Sequence, residues 1–228
     1  MDSSFLADRY TRPDLERAAL LLIDVQRDVL DGPLSFATPR RQLPNLKRVI
    51  EAFRAARGPI VHVVRLYLPD GSNADLCRRD AIGRGHGALL AGTPGSALVD
   101  ELLPRRDVVL DVDTLLSAGF QHLTANETVM YKPRWGAFYG TRLLEHLHAQ
   151  GVATVVVAGC NFPNCPRATI VEASERDMRV VAVWDAISRF TDRDATELRD
   201  IGVEIMPAVE VAGHVRVGTR HEECLAPG

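Results

Sequence analysis

The chain alternates between short, wholly apolar runs and longer stretches in which apolar residues recur every three or four positions. Residues 18–23, Ala-Ala-Leu-Leu-Leu-Ile, form one such run and end in Asp24, the pattern of a strand buried on both faces of a sheet with an acid at its end. Over residues 45–57, Leu46, Val49, Ile50 and Phe53 fall at helical spacing, and Gly58 follows as a left-handed stop. Residues 60–64 predict a second buried strand, and the turn residues Pro69-Asp70-Gly71-Ser72-Asn73 close it. Later, Thr141 is a candidate N-cap for a helix over 142–150 striped by Leu143, Leu144 and Leu147, with Gly151 closing it. The pattern then predicts a β-branched central strand over 152–158, a helix over 166–177, a strand over 180–184, part of a helix over 196–200 and a strand over 203–206. After Pro207 no pattern predicts an element.

Strands that alternate with helices imply an α/β fold, a three-layer α/β/α sandwich around a mostly parallel sheet with right-handed crossovers. One domain over residues 1–228 accommodates the elements. Residues 66–128 interrupt the alternation with Gly, Pro and charge, and read as a loop-rich excursion, a lid over a pocket. In such sheets ligands sit beyond the carboxyl ends of the strands.

Composition narrows the partners. The chain has 228 residues, 46% hydrophobic and 25% charged, with a formal net charge of −3, so it offers no electrostatic footprint for nucleic acid or anionic lipid. A small-molecule substrate is the expected partner. No apolar run is long enough to span a bilayer and the first residues carry no basic or apolar leader, which together suggest a cytoplasmic protein. The four cysteines, Cys77, Cys160, Cys165 and Cys224, lack CxxC spacing and give no zinc or haem signature. Cys77, Cys160 and Cys224 read as small buried hydrophobes.

Three reactive side chains fall at strand ends: Asp24 after the first strand, Lys132 after residues 129–131, and Cys165 at the start of the 166–177 helix. Gly159-Cys160-Asn161-Phe162-Pro163-Asn164 makes a tight turn into that helix, and Pro166 suits its first position. A thiol at a helix N-terminus beside a lysine is expected to have a depressed pKa, and an aspartate can take its proton and return it to a leaving amine. Together the three make a nucleophilic set. Taken singly, an aspartate at a strand end caps a turn and a lysine is surface charge, so the combination carries the reading.

The residues also carry a resemblance. Leu21-Leu22-Ile23-Asp24-Val25-Gln26-Arg27-Asp28, Tyr131-Lys132-Pro133-Arg134-Trp135-Gly136-Ala137-Phe138-Tyr139-Gly140-Thr141, Ala158-Gly159-Cys160-Asn161-Phe162-Pro163-Asn164-Cys165 and Val183-Trp184-Asp185-Ala186 are similar, in order and over roughly residues 18–206, to the motifs of the isochorismatase-like cysteine hydrolases. The resemblance implies an Asp24, Lys132, Cys165 triad that cleaves C–N bonds through a covalent thioester. It also implies a cis peptide just before Asn161 and an oxyanion hole from the N–H groups of Asn161 and Cys165.

Phe162-Pro163 stands where the family often has Thr-Asp, and Gly136 where a small polar residue is common, so the pocket is expected to differ in shape. The metal-binding Asp-x-His pattern of the nicotinamidase branch has no counterpart in residues 66–80, so no catalytic metal and no cofactor are expected, and His86 and His122 read as solvated or lid histidines. Arg65, Trp135, Phe138 and Phe162 are candidate substrate-binding residues. The leading expectation is an amidohydrolase for a small amide, ureide or lactam. Alternatives are a vinyl ether hydrolase that uses Asp24 as an acid without the thiol, and a non-catalytic binding or scaffold protein of the same fold. A homo-oligomer is expected from the resemblance, with residues 203–211 and the tail as an interface.

Overall fold

A computed structural model describes residues 9–32, 34 and 39–215. Strands β1 (Ala18–Ile23), β2 (Ile60–Val64), β3 (Phe120–His122), β4 (Glu127–Tyr131), β5 (Thr154–Gly159), β6 (Arg179–Ile187) and β7 (Glu204–Met206) form one sheet in the order β3-β4-β2-β1-β5-β6-β7. β3 pairs antiparallel with β4 at one edge, and the other neighbours pair in parallel. The helices are α1 (Arg27–Leu30), α2 (Leu43–Ala55), α3 (Leu76–Gly83), α4 (Val112–Leu116), α5 (Leu143–Ala149), α6 (Cys165–Ser174), α7 (Asp192–Arg199) and α8 (Ala208–His214). None is long and apolar enough to cross a membrane.

The unbroken apolar run of β1 reflects burial on both sides. Leu20 and Leu22 pack into the core beneath α2 and α8, while Ala19, Leu21 and Ile23 pack into the opposite core beneath α5 and α6. A sheet covered on both faces needs apolar residues at consecutive positions rather than alternate ones. Leu46, Val49, Ile50 and Phe53 of α2 are all buried, as their spacing predicts.

Several boundaries differ from the sequence reading. The left-handed residue after α2 is Arg57, with φ 53°; Gly58 instead leaves room, since a Cβ there would lie 3.0 Å from the Phe53 ring and press it by a few tenths of an ångström. Gly151 does close α5 with φ 69°, but the N-cap is Arg142 rather than Thr141; Thr141, one position earlier, accepts the Leu143 N–H on its Oγ1 at 3.3 Å. The segment after Pro207 forms α8, whose Ala208 and Val211 are buried. Its N-terminus is held by Asp185, which accepts the Ala208 N–H at 2.8 Å. Val203, Met206, Ala208 and Val211 therefore serve this chain's own core, and the proposed interface over 203–211 reduces to exposed positions such as Val209. The tail beyond 215, with Cys224, lies outside the described residues. Cys77 is exposed on α3 rather than buried, because the buried residue of that short helix is Ile82.

The excursion over 66–128 divides into two parts. Its first half turns back on the segment just after β2, where Tyr67 N–H bonds Leu89 O and Ala91 N–H bonds Tyr67 O, each at 2.9 Å, and it covers the strand ends. Its second half adds α4 and the edge strand β3 around Leu115 and Leu123. His86 and His122 are exposed.

Candidate active site

The carboxyl ends of β4, β2, β1 and β5 lie side by side, and each is followed at once by a polar residue or a sharp turn. Asp24 leaves β1 in the left-handed region at φ 52°, a conformation that aspartate tolerates better than most side chains, and its N–H is held by Val63 O at 2.9 Å. Lys132 leaves β4 with its N–H on Val64 O at 3.1 Å. Arg65 leaves β2, the strand between those two. At the end of β5, Gly159 adopts φ 125°, and a Cβ there would lie 2.2 Å from Ile23 O. Only glycine lets the chain pass this close to β1 before turning toward Cys165.

That turn is pinned to the end of β6. Phe162 N–H bonds Ser188 O at 2.9 Å, Ser188 N–H bonds Gly159 O at 3.0 Å, and Ser188 Oγ donates to Asn161 Oδ1 at 2.6 Å. The Cys160–Asn161 peptide is trans, unlike the cis bond that the resemblance implies; the ordinary amide preference for trans is met here without proline. Asn161 and Cys165 N–H groups have no hydrogen-bond partner among the described residues. For Cys165 this follows from its place as the first residue of α6, where an N–H has no intrahelical acceptor.

The structure brings the three candidate catalytic residues together. Lys132 Nζ lies 3.0 Å from Asp24 Oδ2 and 3.4 Å from Arg134 O. Among the described residues, Asp24 Oδ1 is buried with no hydrogen-bond partner. Cys165 lies within electrostatic reach of both charges. Burial is the largest influence on its thiol and pushes its pKa up to about 12; Asp24 adds to the rise while Lys132 opposes it. The expected depression of this pKa is thus overturned, because desolvation and a neighbouring carboxylate outweigh the lysine. At neutral pH a thiol shifted this far keeps its proton.

Cys165, Asn161, Asn164, Asp24, Arg65 and Trp135 face a narrow cavity, of which about 30 Å³ is open to the centre of a water molecule. Of the expected binding residues, Arg65 and Trp135 line it, whereas Phe138 and Phe162 do not. Phe162 is buried in the core beneath α6 and packs edge-on against Phe190 with ring centroids 4.8 Å apart. Phe138 is buried in the same core, with Arg176 over its ring. Their side chains point into packing that motif proximity alone does not reveal.

The remaining wall was missed by sequence reasoning. Val29 and Leu34 come from the segment after β1, and Tyr67, Asp75, Arg78 and Leu89 from the excursion. Arg65 is buried and pairs with Asp75; it also donates to Tyr67 Oη and to Lys132 O, both at 3.1 Å. Burial pushes the Tyr67 hydroxyl up to about 12, so it stays neutral. The acid Asp75 and the base Arg78 next to a turn were the available signal, but nothing in their spacing directs them to the strand ends.

The loop that carries Lys132 is anchored on α6. Glu172 Oε2 accepts the Phe138 N–H at 2.9 Å, and Thr169 Oγ1 accepts the Ala137 N–H at 3.2 Å while donating to Cys165 O at 2.8 Å. Gly136 stands against the same carboxylate; a Cβ there would lie 2.1 Å from Glu172 Oε2. Among the described residues no three His, Cys, Asp or Glu side chains gather as candidate metal ligands.

A family model described as the isochorismatase domain matches residues 18–206, which include every residue of this site. The chain belongs to the isochorismatase family. An isochorismatase family protein from Desulfovibrio vulgaris shares 30% identity with it and superposes with a TM-score of 0.73, covering 87% of this chain and 97% of the other. N-carbamoylsarcosine amidase from Thermoplasma acidophilum shares 26% identity at a TM-score of 0.65, over 84% of this chain and 96% of its own. A protein of Arabidopsis thaliana described as a probable inactive nicotinamidase is 29% identical over 82% of this chain and 90% of its own length. The isochorismatase-family fold accounts for the parallel sheet and for the placement of the site at its carboxyl edge.

Proposed function

We propose that this isochorismatase-family hydrolase cleaves C–N bonds other than peptide bonds in a small amide, ureide or lactam, with Cys165 as nucleophile. The observation that carries the reading is the buried Asp24–Lys132 pair beside Cys165, in which Asp24 keeps one oxygen unpartnered. Asp24 Oδ1 accepts the Cys165 proton as sulfur attacks the substrate carbonyl carbon, and Lys132 stabilises the negative charge that develops. The free N–H groups of Asn161 and Cys165 are suited to receive the carbonyl oxygen as it becomes an oxyanion. Collapse breaks the C–N bond, and the departing nitrogen takes the proton from Asp24, leaving a thioester on Cys165. Water, deprotonated by Asp24, then attacks the thioester carbon; the C–S bond breaks, the acid leaves and the thiol regains its proton. The neutral resting thiol supports this sequence, because a base is needed at the moment of attack. The amidase among the similar structures supports the choice of bond.

The test is ammonia or amine release from a panel of primary amides, ureides and lactams in buffer with chelator. Wild type is expected to release the amine, and Cys165→Ala to lose at least ~10³-fold of that rate, as removal of a nucleophile does elsewhere. Release that survives Cys165→Ala would overturn the thiol mechanism, and vinyl ether cleavage by the same variant would move the reading to Asp24 acid chemistry.

A further inference from the structure

The turn that carries the nucleophile is held by one residue of the neighbouring strand. From Val157 to Gly159 on β5 the paired position on β6 advances from Ala182 to Ile187, so β6 bulges away and returns beside the turn. Bulges next to active sites re-aim side chains. The residue delivered here is Ser188, which is buried. Its N–H bonds Gly159 O at 3.0 Å, its carbonyl accepts the Phe162 N–H at 2.9 Å, and its hydroxyl donates to Asn161 Oδ1 at 2.6 Å. Burial pushes the neighbouring Cys160 thiol up to about 12, so it stays neutral and, as a weak acceptor, competes little with Asn161 for the hydroxyl proton.

Of the turn's backbone donors, Cys160 N–H bonds Ile23 O at 2.8 Å, Phe162 N–H bonds Ser188 O and Asn164 N–H bonds Asn161 O at 3.0 Å, while among the described residues Asn161 N–H has no acceptor. The main-chain bonds set where the Asn161 peptide sits, and the side chain anchored at Oδ1 limits how far the residue can rotate about it. Resting on the amidohydrolase reading, we propose that Ser188 is a positioning residue: its hydroxyl, through the Asn161 side chain, aims the Asn161 N–H at the oxygen of the tetrahedral intermediate. A donor of this kind is worth most when it is held in place before the charge develops. Burial is what gives the hydroxyl this role, since water does not replace the bond when it is lost.

The test cuts the tether and leaves the main-chain clamp. Ser188→Ala keeps both backbone bonds, so the turn stays attached to β6 and only the hydroxyl is lost. In amide turnover its kcat is expected to fall about ten- to hundredfold, less than the loss of a whole oxyanion donor, with KM within about twofold of wild type. A second measurement needs no C–N bond to break. In a Cys77→Ser, Cys224→Ser background, isotope-labelled acetaldehyde is titrated and followed by carbon NMR: the Cys165 sulfur bonds to the aldehyde carbon, the carbonyl π pair moves to the oxygen, the oxygen takes the thiol proton, and nothing leaves. This adduct seats its oxygen where the oxyanion forms. It is expected in the unsubstituted site, absent in Cys165→Ala, and weaker by about ten- to hundredfold in Ser188→Ala. Asn161→Ala cuts the same tether from the other end and is expected to weaken the adduct at least as much, and adding Ser188→Ala to it to change nothing further. An adduct equally tight in Ser188→Ala, a turnover loss carried by KM, an undiminished effect of Ser188→Ala in the Asn161→Ala background, or no Cys165 adduct at all would overturn the inference. If the adduct behaves as expected and no amide is hydrolysed, the positioning role stands and the choice of bond fails.

Discussion

Lys132 Nζ and Asp24 Oδ2 are 3.0 Å apart, and the lysine side chain is 0% and the aspartate 7% exposed. Such a pair stays in place only because each charge answers the other. Removal of either partner leaves a buried charge without compensation, which costs about 3–5 kcal/mol. Lys132→Met is therefore expected to lower stability by that order in urea denaturation as well as abolish turnover. The double variant Lys132→Met, Asp24→Leu should recover much of the stability and none of the activity. A single variant as stable as wild type would contradict the burial argument.

The Cys165 thiol provides a test through pH. Its pKa is raised to about 12 by burial first and by Asp24 second, so the folded state holds the proton longer than the unfolded chain, whose cysteine titrates near ~8.5. Below that value the shift costs nothing. As pH rises above it the unfolded state ionises first, and the stability contribution declines toward the folded pKa. Iodoacetamide labelling of Cys165, followed by mass spectrometry in a Cys77→Ser, Cys224→Ser background, is expected to be slow at pH 7 and still accelerating at pH 10. Asp24→Asn removes the carboxylate that raises the pKa, and should speed labelling at pH 8 while stopping turnover. A plateau near pH 7 in the unsubstituted site would reverse the assignment of a neutral thiol.

Gly136 provides a test of the loop that carries Lys132. Its missing Cβ makes room for Glu172, which holds the Phe138 N–H. In Gly136→Ala the carboxylate must move and surrender that bond, at a cost of about 1–3 kcal/mol. The expected reading is a lower melting temperature together with a lower kcat, since the shift reaches the lysine through a short stretch of chain. Glu172→Ala added to Gly136→Ala should relieve the steric part without restoring the lost bond, leaving the double variant no less stable than Gly136→Ala alone.

The parts of this site that were legible in the sequence share one property: they lie at the ends of apolar runs. Asp24 and Cys165 follow strands whose apolar runs announce burial on both faces, and Lys132 follows the shorter apolar piece 129–131, so topology carries all three to one edge. The same holds for Arg65 after β2. Phe138 and Phe162 sit just as near the motifs, yet their direction depends on which core has space for a ring, and that is a property of the assembled layers. Tyr67, Asp75 and Arg78 were hidden because they belong to the excursion, where turns rather than periodicity decide the path. The thiol pKa was misread for a related reason. The lysine and the helix end are local features, whereas burial is contributed by the whole wall. The seven residues of α8 hold too few turns for a stripe to emerge, and its anchor, Asp185, lies on another strand.

Arg65 joins two functions in one side chain, since the guanidinium that pairs with Asp75 also holds the carbonyl of Lys132 at 3.1 Å. Selection or engineering for a new ligand at positions 65, 67 or 75 acts on the catalytic lysine at the same time. Substitutions there are therefore epistatic with turnover, and single changes should be purged even when a combination would succeed. Position 78, which shares the wall but not the tether, is where substrate range can drift one mutation at a time.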